Sequence, residues 1–294
     1  MASRLLLQLP REFDYHLNLE FLRRSPRELL HTVENDHVLK VVKHLDEKIL
    51  LRIRPSETKL IVEFLNGIPS ARAKEFVKGY VKEWFDMETD LSAFYKLAAA
   101  DKLLGPLVDR YFGYRIIGQP DLFESIIWAV IGQQINLSFA YTLKSRFVEQ
   151  FGERLHWNNE SYYLFPAPKL VATLRDEHLL PLQFSRQKSK YTTLIAEAFA
   201  NGILSKEKLH SLSFDEAKNE LMKIKGIGNW TANYALMKTF RHPNAFPLED
   251  AGVHNAIKNL KKMDRKPTLE EVKRQFKKYK GWEAYATLYL WKSL

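Results

Sequence analysis

Between Leu221 and Asp250 the chain reads LMKIKGIGNWTANYALMKTFRHPNAFPLED, which sets an anion-gripping turn beside one well-placed carboxylate. Gly226 and Gly228 flank Ile227, and residues this small let the main chain turn sharply and offer bare N–H groups to an anion at a helix start. Phosphate is the obvious anion, with Lys225 next to the turn. Trp230 and Tyr234 lie four apart, so on a helix they share one face and can line a slot. A nucleotide gripped by its phosphate would deliver its base there. Extruding a base costs a few kcal/mol. Stacking on aromatic rings returns about 1–3 kcal/mol per base, and a cationic base adds about 0.5–2 kcal/mol. Aromatics at this spacing also build cores, so position beside the turn is what favours the slot.

Asp250 follows a loop of turn formers, His242-Pro243-Asn244 and Phe246-Pro247, and stands where the next helix should open. Aspartate there is an N-cap. A helix N-terminus also favours negative charge, which suits a carboxylate that must stabilise positive charge on a deoxyribose losing its base. Glu249 is the rival, pointing in a different direction.

Composition removes other chemistries. With 294 residues and no cysteine, the chain can bury a sizeable core but has no disulfide, thiol nucleophile or cysteine-held metal cluster. The nine histidines form no His-x-x-x-His pair, and there is no Gly-x-Ser-x-Gly elbow or Gly-Lys-Ser/Thr phosphate loop. A net charge of +10 favours polyanionic partners. Beyond Asp250 a basic run from Lys258 to Lys292 suggests a side facing DNA. No run of about eighteen apolar residues exists, and Met1 to Pro10 lacks a secretion signal's apolar core, so a cytoplasmic protein without a membrane partner is expected.

An α+β fold should position these groups. Strand character is confined to residues 1 to about 70, at Leu5 to Leu9, Val38 to Lys43, Ile49 to Arg54 and Lys59 to Leu65, which predicts an antiparallel meander. Ser25-Pro26-Arg27-Glu28 reads as the start of an inserted helix. From Ala71 the period becomes helical. Asp121 to Glu124, Ser213 to Glu216 and Thr268 to Glu271 read as capping boxes. The helix opening at Asp121 is apolar enough to be buried and ends in Gly132-Gln133-Gln134. The expected division is a sheet domain over 1–88 and a helical domain of two lobes over 89–294.

The segment from Leu221 to Asp250 resembles the helix–hairpin–helix DNA glycosylases, most closely the DNA-3-methyladenine glycosylase II group, and the likeness runs end to end. Gly132-Gln133-Gln134 sits where that family places a DNA-inserting loop, Phe13-Asp14-Tyr15 to Phe21-Leu22 resembles its opening, and Trp282 to Trp291 its final helix. The resemblance implies an antiparallel sheet domain followed by an all-helical helix–hairpin–helix domain that excises alkylated bases from duplex DNA. It implies Asp250 as the catalytic aspartate and Trp230, Tyr234, Trp291 and Phe21 as the alkylpurine cleft. DNA would be held by Gly226, Ile227, Gly228, Lys225, Gln133 and Gln134. Main-chain carbonyls of Met222, Ile224 and Ile227 would hold a structural monovalent cation, with no cofactor required. Trp230 stands where bifunctional relatives carry the Schiff-base lysine, so no lyase activity is expected, and the lack of cysteine separates the chain from the iron–sulfur branch. Two departures concern opening of the duplex: Gln134 replaces an apolar wedge, and the chain stops three residues beyond Trp291. A monomer acting at the nucleoid is expected. The alternatives are a different lesion, oxidised or deaminated, and a DNA-binding module without catalysis.

Overall fold

The computed structural model describes residues 4–294. Its N-terminal part is a five-stranded antiparallel sheet built from β1 (Arg4–Gln8), β2 (Thr32–Glu34), β3 (His37–His44), β4 (Glu47–Pro55) and β5 (Lys59–Phe64), in the order β1-β5-β4-β3-β2. Successive strands pair as a meander and β1 closes onto β5, with Leu6 opposite Ile61. Alternation puts Val38, Val42, Leu51, Ile53, Leu60 and Val62 on one face. There they pack against Leu19 and Leu22 of helix Tyr15–Leu22 and Val77 and Val81 of helix Ala71–Trp84. Leu51 is fully buried, and cutting such a side chain back to alanine costs about 2–5 kcal/mol.

The opposite face carries Leu39, Val41 and Leu50, which pack against Tyr162. Tyr162 belongs to a second, two-stranded sheet of β6 (Arg154–Trp157) and β7 (Glu160–Tyr163), so strands are not confined to the first 70 residues. Its turn is Asn158-Asn159, both at positive φ (49° and 65°), the geometry of a tight hairpin that asparagine tolerates. β2 is a further strand absent from the sequence reading. The inserted helix also starts earlier than expected: Asp14 caps Tyr15–Leu22 through a 2.9 Å bond to the Leu17 N–H. Ser25-Pro26-Arg27-Glu28 is a turn, because Glu28 reaches away from it to bond the Leu30 N–H at 2.9 Å and Lys144 at 2.9 Å.

The remainder is mostly helical around helix Leu122–Gly132, in which Ile126, Ile127, Ala129, Val130 and Ile131 are buried. Against it lie Leu137–Phe151, Arg186–Ala200 and Asn229–Phe240. Ser213/Glu216 and Thr268/Glu271 are full reciprocal capping boxes. At Asp121 only half forms: Asp121 accepts the Glu124 N–H at 2.9 Å, while the Glu124 carboxylate turns to Lys144 at 3.7 Å. Lys144 thus joins the helical part to the Glu28 turn that follows the helix carrying Phe21.

Candidate active site

Helix Phe214–Met222, the turn Lys223–Gly228 and helix Asn229–Phe240 form a hairpin. Gly226 sits at φ +103°, and a Cβ there would lie 2.6 Å from the Tyr191 ring, so the turn needs glycine for both conformation and space. Gly228, at φ −90°, is the N-cap of Asn229–Phe240 and supplies no side-chain bond, which leaves the first N–H groups of that helix for an anion. Ile227 is buried beneath the turn, while Met222 and Lys225 are less enclosed. The Ile224 carbonyl accepts the Ile227 N–H at 3.0 Å.

The loop ending in Gln133-Gln134 is tied to this hairpin. Gln133 Nε2 donates to the Gly226 carbonyl at 3.2 Å and to Thr231 Oγ1 at 3.1 Å. Gln133 therefore braces the hairpin from the side, whereas Gln134 is exposed at its tip with a left-handed backbone, φ 58°. Lys188 is buried below and donates to the Ile131 carbonyl at 2.7 Å, closing the C-terminus of helix Leu122–Gly132.

Asp250 caps helix Ala251–Leu260 through Oδ1, which accepts the Val253 N–H at 2.8 Å. The same oxygen accepts Trp291 Nε1 at 2.7 Å, and Oδ2 accepts Trp230 Nε1 at 2.9 Å. Trp230 stacks on Tyr234, with centroids 5.2 Å apart and planes at 18°, and Trp291 faces Tyr234 at 6.5 Å. The structure thus gathers Asp250, Trp230, Tyr234 and Trp291 in one place, with the carboxylate between two indoles. Asn233 fixes the approach: its amide donates to the Asn229 carbonyl and its oxygen accepts the Phe246 N–H at 2.9 Å, holding the loop that leads to Asp250. Glu249 is engaged elsewhere, accepting both bonds from Asn229 at the surface.

Behind Tyr234 lies a cavity of about 50 Å³, lined by Phe21, Arg24, Trp128, Tyr141, Tyr234 and Lys238 among others. Phe21 lines this cavity together with Tyr234. Tyr234 keeps its proton, because burial pushes its pKa up to about 12 against the opposing pull of Arg24, and its hydroxyl accepts Trp128 Nε1 at 2.9 Å. Lys238 is buried with its amine on the Ile117 carbonyl and 4.6 Å from the Phe21 ring centre. Desolvation holds its pKa well below the usual lysine range. Trp128, Arg24, Lys238 and Gly252 were not singled out from the sequence. Lys238 alone had a local signal, since it continues the i, i+4 row of Trp230 and Tyr234. Gly252 is needed for closeness: a Cβ there would stand 3.0 Å from Asp250 Oδ1 and 3.1 Å from the Trp291 ring.

The basic run after Asp250 is partly neutralised. Arg265 pairs with Glu271, Lys273 with Glu270 and Lys292 with Glu20. Lys278 lies 3.6 Å from Asp101, whereas among the described residues Lys258, Lys261, Lys262, Lys266, Arg274, Lys277 and Lys280 have no such carboxylate and carry the free positive charge of this side.

Residues 127–281 match the model of the HhH-GPD superfamily of base excision DNA repair proteins, and residues 14–126 match that of the 8-oxoguanine DNA glycosylase N-terminal domain. The DNA-3-methyladenine glycosylase of Bacillus subtilis is 42% identical over 294 residues, covering 99% of this chain and 97% of the relative. DNA-3-methyladenine glycosylase 2 of Escherichia coli is 27% identical over 188 residues, 64% of this chain and 63% of the relative. Among solved structures, a 3-methyladenine DNA glycosylase from Archaeoglobus fulgidus superposes with a TM-score of 0.86 over 98% of this chain and 97% of its own, at 24% identity, a likeness of fold. The 3-methyladenine DNA glycosylase Mag1 of Schizosaccharomyces pombe, in complex with abasic DNA, gives 0.57 at 26% identity over 67% of this chain and 93% of its own. No helix among the described residues is long and apolar enough to cross a membrane.

Proposed function

The chain belongs to the HhH-GPD superfamily of base excision DNA repair proteins, and from that premise we propose that it is a monofunctional DNA glycosylase releasing alkylated purines, of the 3-methyladenine and 7-methylguanine type, from duplex DNA. The observation that carries this reading is the Asp250 carboxylate held between the indoles of Trp230 and Trp291, one helix away from a phosphate-gripping turn. The main-chain N–H groups after Gly228 hold the strand, and Gln134 fills the gap left by an extruded nucleotide. The base enters against Tyr234 and the two indoles. Alkylation at N3 or N7 gives it a positive charge, so when the bond from C1′ to the base nitrogen breaks, the electron pair goes to the base, which leaves neutral. Asp250 stabilises the oxocarbenium-like sugar that remains, water adds to C1′, and its proton passes to solvent, leaving an abasic site.

No amine occupies the place of Trp230, and Lys223 is paired with Glu220 at the surface. Strand cleavage through a Schiff base is therefore not expected, and borohydride treatment of the enzyme with its product DNA should trap no covalent adduct. The carbonyls of Met222, Ile224 and Ile227 are hard oxygen donors that fit a monovalent cation, which would supply counter-charge near the bound phosphate. Action as a monomer at the nucleoid belongs to this same proposal. Incubation with dimethyl sulfate-treated DNA, followed by chromatography of released bases, tests the reading: free 3-methyladenine and 7-methylguanine support it, and DNA binding without release refutes it. The match of residues 14–126 to an 8-oxoguanine glycosylase domain favours a second reading, an oxidised-purine specificity, which a duplex carrying that lesion distinguishes.

A further inference from the structure

Three basic side chains lie over the rings of Phe21, Tyr141 and Trp128 beside the cleft. The Arg24 guanidinium lies 3.9 Å above the Phe21 ring centre and 5.4 Å from that of Tyr141, Lys238 lies 4.6 Å from Phe21, and Lys144 lies 5.4 Å from Trp128. They differ in what they have left to give. Lys144 is satisfied by Glu28, and Lys238 is buried on the Ile117 carbonyl. Arg24 is exposed and uses only Nε, which donates to the Tyr141 hydroxyl. Among the described residues it meets no carboxylate, so the donors on its two terminal nitrogens are unengaged beside a cavity that Tyr234 also lines.

We infer that Arg24 determines specificity within the glycosylase reading, donating to the O6 carbonyl of a purine seated against Tyr234 and so favouring 6-oxo bases over 6-amino bases. A guanidinium has N–H groups and no acceptor, so it pairs with O6 of a guanine or hypoxanthine ring and opposes the 6-amino group of an adenine ring. A resident cation on Phe21 also weakens the attraction of that face for a cationic base, which leaves the hydrogen bond to discriminate. Lys238 does not duplicate this role. Its amine is committed to main chain, and desolvation favours its neutral form.

The inference rests on the proposed excision of alkylated purines, and one reaction separates the two. Dimethyl sulfate-treated DNA contains both 7-methylguanine, which has O6, and 3-methyladenine, which has a 6-amino group. The ratio of the two bases released in one tube is internally normalised against partial loss of folded enzyme. A hydrogen bond to a charged group is worth enough to change excision about tenfold, so Arg24→Met should lower the 7-methylguanine to 3-methyladenine release ratio by about that factor. Arg24→Lys, which keeps the charge but loses the fork, should fall between. Release of hypoxanthine from a defined duplex should drop in parallel with 7-methylguanine. A ratio that stays constant or rises in Arg24→Met, with both bases still released by the unaltered chain, overturns the role of Arg24 alone. Release of neither base by the unaltered chain overturns the glycosylase reading and takes this inference with it.

Discussion

The indole Nε1 of Trp230 donates to Asp250 Oδ2 at 2.9 Å, while Oδ1 of the same carboxylate takes the Val253 N–H and the Trp291 indole. Both oxygens therefore act only as acceptors, which a carboxylate can do and an amide cannot. Asp250→Asn should lower excision by about 10²–10³-fold. It should also destabilise the fold by about 1–3 kcal/mol, although asparagine is normally as good an N-cap as aspartate, because its NH2 must face an indole N–H. Trp230→Phe keeps the stack on Tyr234 but removes one donor, and a fall of about tenfold in single-turnover rate is expected. Urea unfolding beside rate measurements checks both. An Asp250→Asn protein that is inactive yet as stable as the original would show that the indoles do not hold the carboxylate as described.

The two hairpin glycines should separate under mutation. Gly226→Ala places a methyl group in the Tyr191 ring at a backbone of φ +103°, so a loss of more than about 1 kcal/mol is expected, along with weaker DNA binding. Gly228→Ala meets nothing within 4 Å at an ordinary φ, and its stability should stay within about 1 kcal/mol of the original. Its methyl group would nonetheless crowd an approaching phosphate, so affinity for a duplex with an abasic site should fall about tenfold. Equal stability losses in the two variants would contradict this division.

These cases show what could be read from the chain. Trp230, Tyr234 and Asp250 were legible because their signals are local: a four-residue spacing, a glycine turn and an N-cap position. The indole bonds to Asp250 were not, since Trp291 arrives from 41 residues away and Gly252 is silent in any local pattern. The same limit explains Ser25-Pro26-Arg27-Glu28, which has the composition of a helix start, yet Glu28 is drawn into a buried pair with Lys144, 116 residues distant. Asn158-Asn159 did carry a turn signal. The flanking strands RLHW and ESYY alternate too weakly for it to be recognised.

Acid should loosen the junction around Glu28 in two steps. Burial holds the His31 pKa down to about 4, so the folded protein keeps this ring neutral while the unfolded chain protonates it below about 6.5. Stability from this group is therefore lost as pH falls from about 6.5 to about 4. For Glu28, burial works upward but is outweighed by Lys144 and His31, which bring it to about 2. Its contribution is present above the ordinary carboxylate value of 4.5 and is lost as pH falls from there toward about 2. Together they predict a decline of about 1–3 kcal/mol between pH 7 and pH 4. His31→Gln should flatten the upper part of that curve, measured as urea midpoints at pH 7.5, 5.5 and 4.5. An unchanged slope would remove His31 from the account.

Gly252 offers the sharpest test of whether the closeness of Trp291 matters to chemistry. It lies in the first turn of helix Ala251–Leu260 at an ordinary backbone conformation, where alanine would be the better helix former by about 1 kcal/mol. Against that gain stands a Cβ 3.0 Å from Asp250 Oδ1 and 3.1 Å from the indole of Trp291, so one of them must give by a few tenths of an ångström. Trp291, half-buried near the C-terminal end of its helix, can yield more easily than a carboxylate fixed by its own N-cap bond. Gly252→Ala should thus leave stability within about 1 kcal/mol of the original while lowering excision about tenfold. Trp291→Phe, which loses the same hydrogen bond without crowding, should match it in rate. If Gly252→Ala excises normally while Trp291→Phe is slow, the indole bond matters but its close approach does not depend on glycine. If both are normal, Asp250 works without Trp291.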